Sequence, residues 1–289
     1  MTLDLRRLGH FVAVAEAGSF TAAATTLHIT QQALSQSVQL LEKELGAELF
    51  TRSGRRITPT AAGAQLLIEG RVLLAAAETV ANRVSRTAGD SPEVFVVGHT
   101  PALSSAEVYT RLEPAIDGFT HLSVTCRQMY PGELLREILD GTVHLGLRRG
   151  IAPTAELSSA TIGYDRVRVA VPREHRLADA TVIDIRELAG EQIALWAPPG
   201  ASYYSDFLMG ACRRAGFEPD FVVSRVQGSA TVAAPLTTGA PAFVTTQAGP
   251  EMDGRVRVID LEPDLLVGVQ ALWQRHTRSA FRDAVLAAR

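Results

Sequence analysis

The chain has 289 residues, 46% of them apolar, and a formal net charge of −3. That length exceeds one ordinary core and points to two or more domains, while the near-neutral charge excludes a simple polycation. There is no run of roughly eighteen apolar residues to span a membrane. The start, MTLDLRRLGHF, lacks the regions of a signal peptide, so a cytoplasmic protein with no membrane association is expected.

Leu5, Leu8, Phe11, Val12 and Ala15 recur at helical spacing, and Gly18 is placed to end that helix. Ser19 can cap a second, alanine-rich helix from about Phe20 to Leu27, where Ala23 and Ala24 let another helix approach. Thr30 can cap a third, ending near Gly46. Its buried stripe is Leu34, Val38, Leu41 and Leu45. Gln31, Gln32, Ser35, Gln36 and Gln39 are left to the other faces. Two short helices joined by a tight turn, the second bearing small polar and amide side chains, form a reader of the DNA major groove. The segment AELFTRSGRRITPTAAG then reads as a two-stranded wing turning at Ser53-Gly54. Its tip carries Arg52, Arg55 and Arg56.

From Thr60 to about Thr87 the pattern is one long helix, roughly 40 Å at 1.5 Å per residue. Leu66, Gly70, Leu73, Ala77, Val80 and Val84 alternate spacings of four and three, a coiled-coil seam of about three heptads. Gly70 and Ala77 would make that seam thin. Thr87 to Glu93 reads as a hinge. Beyond it strands and helices alternate, the signature of βαβ units and a parallel sheet. A second half begins near Gly163, and strands from Arg255 onward return toward the first. The expected fold is therefore α/β. A winged helix-turn-helix (1–59), a linker helix and hinge (60–89) and a two-lobed, clam-like domain (90–289) follow in order. Lobe I is about 90–162 with 265–289, and lobe II is about 163–264.

These residues resemble the LysR-type transcriptional regulators along nearly the whole chain. FVAVAEAGSFTAAA, ALSQ, LEKELG, LFTR and ITPTAAG fit the family pattern in order and at fixed distances. VPREHRLAD, RRAGFEP, TTGAPAFV and HTRSAFRDAVLAAR resemble its recurring C-terminal segments. The resemblance implies a periplasmic-binding-protein-like effector domain. The implied partners are double-stranded DNA at a partly palindromic operator, a small-molecule effector, other copies of the chain as homodimer or homotetramer, and, in some contexts, RNA polymerase. It also marks Gln31 and Ser35 as base contacts and Thr100 as an effector-binding hydroxyl. The family often carries arginine where Gln36 stands, proline or serine at Gln32, a small hydroxyl residue near Tyr130 and aspartate at His144.

Chemistry supports those placements. Glutamine bonds adenine at N6 and N7, and serine contacts several bases. Arg52, Arg55 and Arg56 suit phosphates or a narrow minor groove beside the half-site, and Thr30 and Thr58 can add phosphate contacts. Ligands of open α/β sheets bind beyond the carboxyl ends of strands. That rule selects His99, Thr100, Ser104 and Ser105 after the first strand of the domain, and Tyr130 after the second. In the second lobe it selects Tyr203 with Tyr204, and Thr245 with Thr246. His144 reads as structural. The seven histidines are scattered, so neither a metal site nor a cofactor is expected. The alternatives are an enzyme with a DNA-binding appendage, for which no catalytic motif is present, and a redox sensor using Cys126 and Cys212, whose spacing gives no support.

Overall fold

The computed structural model describes residues 3–53, 56–87, 93–224, 231–275 and 277–288. Three helices open it: α1 (Leu5–Ala17), α2 (Phe20–Thr26) and α3 (Gln31–Leu45). Each begins where a side-chain oxygen accepts backbone N–H groups that the helix leaves free. Asp4 accepts from Arg6 and Arg7, Ser19 from Ala22, and Thr30 from Ala33. Leu8 and Phe11 of α1 bury with Leu41, while Val14 joins Phe20, Ala23, Ala24, Leu34 and Val38. Full burial of such side chains stabilises by about 1.5–3 kcal/mol each. Two expectations fall short: Leu5 is exposed and Leu45 only half-buried. Both sit at helix ends, where the core has already closed.

The wing is an antiparallel pair, β1 (Phe50–Ser53) and β2 (Arg56–Pro59), with Thr51 opposite Thr58. Phe50 anchors it, its ring 5.0 Å from Phe11 and 5.9 Å from Phe20. The long helix α4 (Ala61–Thr87) follows. The Thr60 backbone N–H donates to the Leu49 carbonyl and its hydroxyl to that of Glu48, which ties the start of α4 to the wing. The expected seam divides here. Leu66 packs within the winged domain. A Cβ on Gly70 would lie 2.8 Å from Leu8 Cδ1, so Gly70 admits α1 of its own chain rather than a partner helix. Ala77 is half-buried, whereas Leu73, Val80 and Val84 are exposed at 42%, 61% and 66%. The hinge residues 88–92 lie outside the described residues.

The C-terminal domain starts with β3 (Glu93–His99), α5 (Ser105–Ile116), β4 (Leu122–Gln128), α6 (Pro131–Leu139) and β5 (Leu145–Arg149). Its strands run parallel in the order β4-β3-β5. A 16-residue strand, β6 (Leu157–Pro172), leads into the second lobe. There follow β7 (Val182–Ile183), a 3₁₀ turn (Ile185–Leu188), β8 (Gln192–Leu195), α7 (Tyr203–Arg214) and β9 (Asp220–Val223). After a second 3₁₀ turn (Thr231–Ala233) come α8 (Ala234–Thr238), β10 (Ala242–Val244), β11 (Gly249–Glu251) and β12 (Val256–Leu261). The last elements are β13 (Leu265–Gln274) and α9 (Ala280–Ala287).

β6 and β13 pair antiparallel from Leu157–Gln274 to Val167–Leu265, and β13 also pairs with β5. These two strands carry the sheet from one lobe into the other. The boundary expected at Gly163 falls inside β6. The register shifts there, with Val269 opposite Gly163 and Gln270 opposite Thr161. Such a bulge bends a strand, and Gly163 at φ 154° takes a conformation that a side chain would resist. Each lobe retains its own core, one around Val97, Leu147 and Phe281, the other around Val169, Leu208 and Ile259.

Candidate nucleic-acid interface and ligand cleft

On α3 the apolar stripe fixes which residues face outward. Leu34, Val38 and Leu41 are buried, so Thr30, Gln31, Gln32 and Gln36 are exposed and Ser35 is half-exposed. Gln31 and Ser35 lie four apart and share a face. The Thr21 hydroxyl of α2 donates to Gln31 Oε1 at 3.3 Å, which steadies the amide. Ser35 lines a groove between α3 and β1, together with Gln39 and Thr51. On the wing, the hydroxyls of Thr51 and Thr58 are 2.9 Å apart. Arg55 lies outside the described residues. Arg52 is the last residue but one of β1, and Arg56 begins β2.

The two lobes touch at three places where the sequence put candidate ligands. The Thr245 hydroxyl donates to Glu107 Oε1 at 2.7 Å. Tyr130 stacks on Trp196, with ring centroids 6.2 Å apart and 24° between planes. The Arg148 guanidinium sits 4.7 Å from the centre of the Tyr203 ring, a cation–π contact. Ser104 caps α5, and Glu107 completes the capping box by accepting the Ser104 N–H at 2.8 Å and its hydroxyl at 2.7 Å.

Three candidates turn inward. His99 and Thr100 are buried. Burial keeps the His99 pKa below the usual 6.5, and its Nδ1 lies 3.3 Å from the Thr100 carbonyl oxygen. Tyr204 sinks into the core of lobe II, where burial pushes its hydroxyl up to about 12 and no partner among the described residues bonds it. It borders a cavity of about 20 Å³ with Trp196 and Ser224, room for one water molecule. His144 is structural: its Nδ1 accepts the Val96 N–H at 2.9 Å and its ring stacks on Phe95.

The residues that organise the cleft were not singled out from sequence. Arg149, nearly fully buried at the end of β5, pairs with Glu107 and with Asp165 and donates to the Ala102 carbonyl. Arg111 holds the other oxygen of Asp165. Arg148, also buried, bonds neutral partners among the described residues, Gln270 Oε1 and the Ala152 carbonyl, and burial lowers its pKa. Burial by itself would raise the Glu107 carboxyl, but the Arg149 charge and the bonds from Ser104 and Thr245 hold it down at about 2. The signal in the sequence was two adjacent arginines ending an apolar strand, LGLRR. Charges in that position require partners.

Among the described residues no group of His, Cys, Asp and Glu is arranged to hold a metal, and no helix is long and apolar enough to cross a membrane. Burial raises the thiol pKa of Cys126, and that of Cys212 to about 11, which disfavours the reactive thiolate.

A winged helix-turn-helix joined by a long helix to two hinged α/β lobes defines a DNA-binding regulator with its own ligand domain. The family model for bacterial regulatory helix-turn-helix proteins of the LysR family matches residues 5–64, and that for the LysR substrate binding domain matches residues 90–288. The chain belongs to the LysR family of transcriptional regulators and is not an enzyme. It is 31% identical to the uncharacterized HTH-type transcriptional regulator YnfL of Escherichia coli (strain K12), across 80% of this chain and 77% of that one. It is 30% identical to the HTH-type transcriptional regulator TcbR of Pseudomonas sp. (strain P51), across 81% and 79%. In fold it is similar to full-length CbnR complexed with its target DNA. That likeness has a TM-score of 0.57, 23% identity and coverage of 99% of this chain and 98% of the other.

Proposed function

We propose that this regulator reads base edges with Gln31, Gln32, Ser35 and Gln36 of α3. In the same reading Thr30, Thr58, Arg52, Arg55 and Arg56 hold the flanking phosphates. The observation that carries it is the exposed polar row on α3 opposite the fully buried Leu34, Val38 and Leu41. A helix fixed by one face and capped at Thr30 presents its other face to a groove in one orientation. Glutamines at Gln32 and Gln36 favour adenine over guanine at the bases they meet.

Leu73, Val80 and Val84 supply an apolar stripe on α4 for a second copy, which sets two half-sites on a partly palindromic operator, as dimer or tetramer. The small-molecule effector enters between the lobes, where Tyr130, Tyr203 and Thr245 already meet partners across the gap and Ser104 caps α5 beside them. The chain acts in the cytoplasm, where the DNA is, and RNA polymerase is a further partner of such a regulator.

Footprinting on the DNA upstream of the gene and of its neighbour tests this reading. Two protected half-sites about one helical turn or a multiple apart are expected. Uniform weak protection of every sequence would overturn it.

A further inference from the structure

We propose that Glu107 is the chain's own occupant of an anion seat between the lobes, and that it closes this seat to carboxylates of incoming ligands. The proposal rests on the reading that the effector enters this cleft. The donors come from three elements. The start of α5 supplies the Ser104 N–H and hydroxyl to Oε2, and β5 supplies the Arg149 guanidinium to Oε1. The residue after β10 supplies the Thr245 hydroxyl, also to Oε1. Donors from two lobes and a helix start, converging on one carboxylate, make the arrangement by which proteins receive a free acid.

The four bonds fill the lone-pair sites that a carboxylate offers. A ligand acid arriving at these four donors would find them engaged by Glu107 and would face its charge. A capping box needs only the bonds to Ser104. The bonds to Arg149 and Thr245 exceed that need, and the one from Thr245 reaches Glu107 from the other lobe. A ligand that reaches these groups therefore presents a neutral polar end, such as an alcohol, amide or carbonyl, rather than a carboxylate.

The test uses the full-length protein. Glu107→Ala deletes the atoms of one acetate ion from the seat. Sodium acetate is expected to raise the Tm of this variant by several degrees above sodium chloride of equal ionic strength. The wild type and Glu107→Gln, whose seats are filled, should respond alike to both salts. A variant that folds only in acetate counts as the same positive result. A folded Glu107→Ala chain with no acetate response overturns the proposal, and so does a wild type that acetate stabilises equally. If Glu107→Ala stays unfolded in both salts while Glu107→Gln matches the wild type in Tm, the proposal also falls, because a neutral amide then replaces the acid fully. Operator affinity measured in the same buffers separates the two readings. An acetate-dependent Tm with unchanged DNA binding supports the seat and refutes effector control through this cleft.

Discussion

Replacing Glu107 by glutamine removes one charge from the contact between the lobes while keeping its shape. In the fold the carboxyl sits at about 2 instead of 4.5, which corresponds to at most about 3 kcal/mol at neutral pH. Water reaches part of this side chain, so the measured loss should be smaller. Whichever way the amide turns, its NH2 meets a donor, the Ser104 N–H on one side or the Arg149 guanidinium on the other. The charged neighbours are Arg149 on β5, then Arg111 on α5 and Asp165 on β6, which pair with each other, while His99 beside them is held toward its neutral form by burial. The folded pKa is depressed, so the stability from Glu107 is complete above 4.5 and is lost as pH falls from there toward about 2. Urea unfolding of both proteins from about pH 7 down to about pH 3 measures it. The gap between wild type and Glu107→Gln should be widest near neutrality and narrow in acid. A gap that stays constant with pH, or no gap at pH 7, would show that the charge does not join the lobes.

Three further outcomes are expected. Leu34→Ala, at a fully buried position of the recognition helix, should cost about 2–5 kcal/mol and abolish operator binding with the loss of the winged domain, as read by circular dichroism and gel shift. Val80→Asp with Val84→Asp should lower the oligomeric mass in light scattering and leave each chain folded, because both side chains are exposed; an unchanged mass would remove α4 from the interface. Cys126→Ser with Cys212→Ser should leave operator binding and its response to peroxide unchanged; loss of that response would revive a redox switch.

Much of the fold was legible because local signals agreed with tertiary demands. Thr30 and Gly46 bracket α3 as cap and stop, and the buried stripe of that helix had the right period. The long helix was legible as well, but its inner face was not. Leu66 and Gly70 share spacing with Val80 and Val84, and only the position of Leu8 shows that the first pair faces its own domain. The passage between the lobes was hidden for a related reason. β6 runs straight through Gly163, and a glycine in a strand reads equally as a break or a bulge. In the cleft, Ser104 and Thr245 were visible as hydroxyls near strand ends. Glu107, which joins them, lies within α5 away from any strand end, so the strand-end rule passed over it. Tyr203 and Tyr204 are adjacent in sequence, yet one covers Arg148 at the surface and the other fills the core, because neighbours on a helix point about 100° apart.

Base reading by Gln31 of α3, as proposed, is checked by the ratio of specific to non-specific DNA affinity for wild type and Gln31→Ala. A bidentate contact to a base is worth about 1–3 kcal/mol of discrimination. The variant should therefore lose roughly tenfold or more in that ratio while keeping its affinity for unrelated DNA at the same salt. An equal loss on all sequences, or an unchanged ratio, would contradict the assignment of α3 as the reader.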